Sequence, residues 1–349
     1  MIFSLASIIL ICLIVEFLCR QLRIPGLIGM LGVGILFSPY FWDLLPLSLL
    51  SVSHELRMLA LIIILLRAGL ELCKETLRRV AAPTLILAFI PPLFEGLTIA
   101  ALAPGLLGLS YLEAAILGTI IAAVSPAVVI QMMVHFMEQR KGTSKGLPTI
   151  LLGAASINDV IVLIVFSTLM AVYIGNEANL AWSLSSIPIT IVLSIAIGLF
   201  TGVILYRLFK YFNPDAAKSI LALLAMGVLF EHSKNLLEGQ LPFAAILAII
   251  SIGFILREKD RQTSSVLSAI LSKLWIPAEI VLFTLVGAQV NLTVIGSVGF
   301  AGVGLILFAL GTRCAACYLC LLRSSFSNAE KLFVVVSYIP KATVQAAIG

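Results

Sequence analysis

Long apolar runs recur from one end of the chain to the other, and they restrict its fold more than any other feature. Each is about 17–25 residues long, enough for a helix to cross a hydrocarbon core about 30 Å thick. Hydrophobic residues make up 61% of the sequence and charged residues only 11%, outside the usual range of soluble domains. Since lipid offers the backbone no hydrogen-bond partner, such runs form helices, and the period-two alternation of a membrane β-barrel is absent. We therefore predict an all-α, polytopic membrane protein.

Twelve membrane spans are predicted. They begin near residues 2, 26, 55, 83, 111, 148, 183, 216, 240, 275, 297 and 329. The first run lacks the basic segment and the small-residue cleavage site of a signal peptide, so it is expected to remain as a helix.

The basic residues predict the orientation. Loops after odd-numbered spans hold 17 of the 22 Lys and Arg residues, whereas loops after even-numbered spans hold Arg57 and Lys234. By the positive-inside rule, the odd-numbered loops are cytoplasmic and the N-terminus is on the outer side of the membrane. The membrane is expected to be the cell membrane. The net charge of +5 is therefore attributed to topology, and no nucleic-acid partner is expected.

Charged side chains within the spans are few, and each costs about 2.5–3.5 kcal/mol at the membrane centre. They are Arg67, Glu71, Glu95, Asp159, Arg313 and Lys341. Arg67 and Glu71 are four residues apart, close enough to pair on one helix, and a structural and a functional interpretation of that pair remain open. Glu95 and Arg313, on different spans, are expected to satisfy each other.

Asp159 lies in the apolar run "GAASINDVIVLIVF", which contains no basic residue. A buried carboxylate reached from water would bind either a proton or a metal ion. The amide oxygen of Asn158 would add a neutral ligand for a hard cation such as Na⁺. A protonated, hydrogen-bonded core aspartate is the alternative, but two adjacent polar groups in lipid favour an ion and proton site at Asn158 and Asp159.

Two spans carry prolines near their middle. In "GTIIAAVSPAVVIQMM" Pro126 follows Ser125, and in "FVVVSYIPKATVQAAIG" Pro340 precedes Lys341. An interior proline removes a helical hydrogen bond, and paired interruptions indicate a transporter site built from inverted repeats. Two unrelated proline kinks are the alternative. Lys341 is expected to neutralise Asp159 when no ion is bound and to offset the partial charge of half-helix carbonyl ends.

The six cysteines fall within or at the ends of spans and predict no disulfide framework. Cys314, Cys317 and Cys320 have a spacing that can bind iron–sulfur clusters in soluble loops. Here they follow the period of one helix, which favours a packing role. No cofactor is expected.

Several segments resemble a known family. "AAVSPAVVI", "KGLPTILLGAASINDV" and "PKATVQAAIG" are similar to the monovalent cation/proton antiporter superfamily, above all to the branch of the animal NHA-type Na⁺/H⁺ antiporters and their bacterial relatives. "LLRAGLEL" and "LVGAQVNL" also resemble that branch. The resemblance runs from span 3 to the last residue.

The resemblance implies a homodimer with a mobile core and a scaffold in each protomer. It assigns 83–172 and 297–349 to the core, and 1–82 and 173–296 to the scaffold and linker helices. The family has thirteen spans, so the chain is expected to continue beyond residue 349. The core would move like an elevator during transport.

The resemblance also implies roles for single residues. Asp159 would carry Na⁺ or Li⁺ in exchange for H⁺, with Asn158 beside it. Ser125 and Pro126 would lie at the first crossing of two broken helices. Lys341 would be the basic residue at the second crossing, and Glu95 and Arg313 match a pair of that branch.

One departure from the family concerns the charge moved per cycle. Many members have Asp-Asp where this chain has Asn158-Asp159. The double acid with a lysine is associated with electrogenic exchange and Asn-Asp with electroneutral exchange, so Asn-Asp together with Lys341 leaves the stoichiometry open.

Three other functions remain as alternatives to Na⁺/H⁺ exchange. A K⁺/H⁺ exchanger would use the same site. A channel or a non-transporting sensor is less favoured. An intramembrane enzyme would need a nucleophile–base or metal constellation, and the spans contain no histidine and no H-E-x-x-H motif.

Overall fold

The computed structural model describes residues 2–22, 26–174, 180–237, 243–291 and 293–341, and these ranges contain helices and no β-strand. The helices are α1 (Ile2–Gln21), α2 (Gly26–Phe37), α3 (Leu47–Leu50), α4 (Ser53–Glu71), α5 (Lys74–Leu107), α6 (Tyr111–Ala122), α7 (Pro126–Glu138), α8 (Leu147–Tyr173), α9 (Leu180–Phe212), α10 (Ala216–Leu237), α11 (Ala245–Lys259), α12 (Arg261–Ala288), α13 (Thr293–Cys320) and α14 (Asn328–Ser337). Six are long and apolar enough to cross a membrane, and several shorter ones are also apolar. The predicted all-α membrane fold is confirmed.

The twelve predicted spans correspond to these helices, with span 5 divided into α6 and α7 and the short α3 lying between spans 2 and 3. Two predicted starts are wrong, because α5 begins at Lys74 and α12 at Arg261. The segment 261–273, which precedes the span start predicted near 275, is helical. Asp260 caps α12 by accepting the backbone N–H of Thr263 at 3.0 Å, and hydrogen bonds from Thr263 lower the pKa of Asp260. A side-chain cap starts a helix even where the sequence is polar.

The helices pack as two groups. In the first, α5 packs against α6, α8 and α13, α7 packs against α8, and α14 contacts α13 and α8. In the second, α11 packs against α4 and α9, α12 packs against α2 and α4, and α1 packs against α2. The groups meet where α7 contacts α4 and where α9 contacts α8.

Glycines bring helices of the second group into backbone contact. A Cβ atom on Gly69 of α4 would lie 2.2 Å from the carbonyl oxygen of Ile250 in α11. A Cβ atom on Gly34 of α2 would lie 2.1 Å from the carbonyl oxygen of Thr284 in α12. Small residues at such crossings allow tight van der Waals packing in a membrane, where no hydrophobic force draws helices together. The second group is therefore held by close backbone contacts.

Polar contacts join the two groups at α7. Arg67 of α4 donates to the carboxylate of Glu138 at 2.6 Å, and the amide of Gln131 donates to the carboxylate of Glu279 in α12. The local pair predicted between Arg67 and Glu71 is replaced by contacts across helix interfaces. Glu71 accepts from the hydroxyl of Ser268 at 2.9 Å and lies 3.5 Å from Arg257. The two charges point toward different neighbours of α4, so each is satisfied by another helix.

The three cysteines with regular spacing lie on α13 as free thiols. Cys317 is buried, and Cys314 and Cys320 are partly buried. Within the part of the chain that the structure describes, no group of three His, Cys, Asp or Glu side chains is placed to hold a metal ion.

Candidate functional site

The first helix break separates α6 from α7. Helix α6 ends at Ala122, and Ala123 and Ser125 have extended backbone (φ −62°, ψ 136° and φ −75°, ψ 106°). Pro126 is the first residue of α7, a position that tolerates proline because its missing N–H has no helical acceptor. The same absence leaves the carbonyl of Ala122, four residues earlier, without a helical donor. The break is therefore built by the sequence Ser125-Pro126.

The second break follows α14 and contacts the first. Helix α14 ends at Ser337, and 339–341 are not helical. The backbone N–H of Ser125 donates to the carbonyl oxygen of Pro340 at 2.9 Å. Unwound backbone within a membrane must be satisfied by protein or by water, and here each break satisfies a group of the other. The rest of the segment "PKATVQAAIG", 342–349, lies outside the described residues.

Asn158 connects α8 to the first break. Its side chain is fully buried, and its Oδ1 atom accepts the backbone N–H of Val124 at 2.9 Å. Its Nδ2 atom lies 3.5 Å from the carbonyl oxygen of Ala88 in α5, and Pro92, four residues further on, has no N–H to offer that carbonyl. Asn158 therefore links two places where a proline interrupts helical hydrogen bonding.

Asp159 is the next residue of α8 and is only 4% exposed. In α8 it follows directly after the residue that bonds to Val124 at the first break. Ser125, the N-cap residue of α7, is fully buried. Asn158 and Ser125 thus both lie at the first break, and Asp159 follows Asn158 in α8. The side chain of Pro126 is not among those described.

A cluster of three charges lies at the same break. Arg313 of α13 donates from Nη1 to Glu95 of α5 at 2.5 Å. The ammonium of Lys341 lies 2.8 Å from Oε1 and 2.9 Å from Oε2 of the same carboxylate. The side chain of Glu95 is 0% exposed and that of Arg313 is 1% exposed. One buried carboxylate therefore holds two cations.

Both cations also bind the C-terminal end of α6. Arg313 donates to the carbonyl oxygen of Ala122 at 3.0 Å, and Lys341 donates to that of Ile121. The carbonyl end of a helix carries about half a negative charge, which favours cations there. Arg313 thus bonds to the carbonyl that Pro126 leaves without a helical donor.

The position of Lys341 differs from the sequence-based expectation. Lys341 was expected to neutralise Asp159, and Glu95 was expected to pair with Arg313 alone. In the structure the Lys341 ammonium is bound to Glu95, because this carboxylate has two oxygens and lies between both cations. The expected offset of half-helix carbonyl charge by Lys341 is present at α6.

Sequence reasoning missed two features of the site. Tyr338 caps the end of α14, and the guanidinium carbon of Arg313 lies 4.8 Å from the centre of its ring, a favourable cation–π distance. Its only sequence signal is an aromatic residue two positions before Pro340.

The second missed feature is a repeated helix start. Both α6 and α14 begin with a capping box, formed by Ser110 and Glu113 and by Ser327 and Glu330. The motif S-x-x-E is readable from sequence, and it marks the start of both interrupted spans. The repetition agrees with a fold made of two related halves.

The comparisons with known proteins are consistent with this geometry. The family model described as the transmembrane sodium/hydrogen exchanger matches residues 6–349. Sodium/hydrogen exchanger 9B1 of Homo sapiens is 30% identical over 333 residues, covering 93% of this chain and 63% of that protein. Sodium/hydrogen exchanger 9B2 of Xenopus tropicalis is 32% identical over 333 residues, covering 93% of this chain and 60% of that protein.

A solved structure shares the fold. The sodium proton antiporter MjNhaP1 from Methanocaldococcus jannaschii at pH 8 superposes with a TM-score of 0.78 at 21% identity, covering 99% of this chain and 84% of the other. The chain spans about three-fifths of the length of the curated relatives it matches. The family model matches nearly the whole length of the chain, which confirms the resemblance seen in its motifs. The chain belongs to the sodium/hydrogen exchanger family.

Proposed function

We propose that the protein is a secondary active antiporter that exchanges Na⁺ or Li⁺ for H⁺ at Asp159. The observation that carries the proposal is the placement of a buried carboxylate beside Asn158, whose amide is bonded to a helix break. That break is in turn bonded to a second break. The family supports the same activity, since the matched relatives are named as sodium/hydrogen exchangers.

Exchange follows from competition for one carboxylate. A bare carboxylate is costly in a poorly solvated site, and either a proton or a monovalent cation removes that cost. Na⁺ is a hard cation that prefers oxygen ligands. Asn158 Oδ1 uses one lone pair for the N–H of Val124 and retains a second for the ion. We assign Asp159, Asn158 and the buried Ser125 as the ion site.

The charge cluster is proposed to support the site rather than to carry the ion. Glu95 neutralises one of its two cations, and the carbonyl end of α6 partly offsets the other. We propose that its contacts with Glu95 and with the carbonyl of Ile121 keep Lys341 charged throughout the cycle. A single carboxylate that trades Na⁺ for H⁺ then moves no net charge, so we infer electroneutral exchange.

The two groups of helices suggest how the site changes sides. We propose that 83–172 and 297–349 form a core that moves as an elevator against 1–82 and 173–296. The breaks, Asp159 and the charge cluster all lie on helices of the first packing group. We further propose a homodimer in the cell membrane, with the N-terminus outside and the odd-numbered loops in the cytoplasm.

The direct experiment replaces Asp159 by Asn in proteoliposomes that carry a pH-sensitive dye. We expect Asp159→Asn to abolish Na⁺-dependent proton movement. The amide takes up no proton, and it has no negative charge to neutralise that of Na⁺. Asp215→Asn makes the same chemical change at an exposed residue paired with Lys218, and it is the matched control. Unchanged exchange in Asp159→Asn would reject the assignment.

A further inference from the structure

A cavity opens between the two groups of helices, away from the ion site. It has a volume of about 470 Å³ and lies between the start of α5 and the helices α9 and α11. Helix α5 carries Glu95, whereas α9 and α11 belong to the other packing group. A molecule in this cavity would contact both groups at once.

The rim of the cavity is basic. Lys74 and Arg78 of α5 and Lys259 of α11 line it, and all three are exposed. Glu258 is the acid of the lining, and its Oε1 atom accepts the backbone N–H of Lys74 at 3.2 Å. The four side chains carry a net charge of two positive, which suits an anion.

The remaining residues of the lining are apolar. They are Leu77, Leu199, Phe254 and Ile255. Phe254 precedes Glu258 by four residues, so it lies about 6 Å further along α11 than the charged rim. An anion with no hydrocarbon would leave these side chains uncovered. A ligand with a negative head and an acyl chain would match both parts.

We propose that this cavity binds the headgroup of an anionic phospholipid, with an acyl chain over Leu199 and Phe254. Basic pockets between transmembrane helices, on the membrane side rich in Lys and Arg, are typical sites for anionic lipid headgroups. Lys74 and Arg78 bind from one helix group and Lys259 from the other. The lipid therefore bridges α5, which continues into the proposed core, and α11 of the proposed scaffold at the charged membrane face.

The test is a titration of the purified protein in neutral detergent with phosphatidylglycerol, with bound lipid counted by native mass spectrometry. The triple variant Lys74→Gln, Arg78→Gln, Lys259→Gln loses affinity by about fivefold per cation, since a Lys or Arg near an anionic lipid surface contributes about 1 kcal/mol. Glu258→Gln removes the negative charge from the rim, keeps an acceptor for Lys74 and increases the affinity.

The matched control removes the same charge elsewhere. Lys141, Arg207 and Arg323 are also exposed and lie outside the cavity lining, and their triple replacement by Gln leaves binding unchanged. An equal loss of phosphatidylglycerol affinity in both triple variants overturns the proposal. Binding of phosphatidylcholine as tight as that of phosphatidylglycerol also overturns it. A Tm increase with inorganic phosphate as large as that with phosphatidylglycerol overturns it as well. If the first triple variant fails to fold, Glu258→Gln decides by itself, and an unchanged affinity for phosphatidylglycerol in that variant overturns the proposal.

Discussion

Glu95 is the residue on which the charge cluster depends, because its carboxylate contacts both Arg313 and Lys341. We expect Glu95→Gln to lower the free energy of unfolding by about 3–5 kcal/mol, since it leaves the buried Arg313 and the partly buried Lys341 without an anion. Denaturant unfolding in detergent measures the change.

Lys145→Gln is the control for this prediction. Lys145 lies 2.7 Å from Glu330 with 41% of its side chain exposed, and an exposed pair contributes about 0–1 kcal/mol. Equal effects of the two substitutions would contradict a structural role for the buried cluster.

The sequence identified the charged residues of the site but not all their partners. Glu95, Arg313 and Lys341 are conspicuous because each interrupts an apolar run. Their pairing depends on contacts between residues 218 and 246 positions apart, and these distances are set by helix packing. The four-residue spacing on one helix predicted Glu71 as the partner of Arg67. The actual partner, Glu138, lies on α7, and this contact is set by helix packing.

At the scale of elements, a hydrogen bond from the Val124 N–H to Asn158 connects α8 to the break between α6 and α7. We expect Asn158→Ala to destabilise the fold by about 1–3 kcal/mol, because the buried N–H of Val124 loses its acceptor. Asn158→Asp keeps an oxygen at that place and should retain most of the stability at neutral pH. Thermal unfolding of both variants in detergent tests the difference, and equal melting temperatures would contradict it.

The helix breaks illustrate what local sequence can and cannot predict. Pro126 and Pro340 indicated both interruptions, because proline lacks the donor that a helix interior needs. The hydrogen bond from Ser125 to Pro340 was not predictable in detail, since it depends on how α6 and α14 approach each other. The starts of α5 and α12 were misplaced because polar helix turns precede the apolar run that marked each span. At α12 the first of these turns is capped by Asp260.

At the scale of the whole molecule, the charge balance of the cluster predicts electroneutral exchange. We expect the rate of Na⁺/H⁺ exchange in proteoliposomes to be the same with and without an imposed voltage. On the proposal that Lys341 keeps its proton and its contact with Glu95, only Asp159 changes its occupant. A rate that increases with voltage of one sign and falls with the other would show net charge movement and contradict the inference.

The whole fold was more predictable than the pairing within it. Hydropathy alone indicates an all-α membrane protein, because the bilayer permits few other structures. The grouping of helices is harder to predict, since it depends on close contacts such as those at Gly69 and Gly34. Such contacts reflect shape rather than hydropathy.

Competition between Na⁺ and H⁺ for Asp159 is tested most directly by the pH dependence of the apparent KM for Na⁺. Uptake of radioactive Na⁺ into proteoliposomes is measured at a series of external pH values. If one proton excludes one ion, the apparent KM rises about tenfold for each unit of falling pH once the site is protonated. An apparent KM that stays constant with pH, while only the maximal rate changes, would contradict the account.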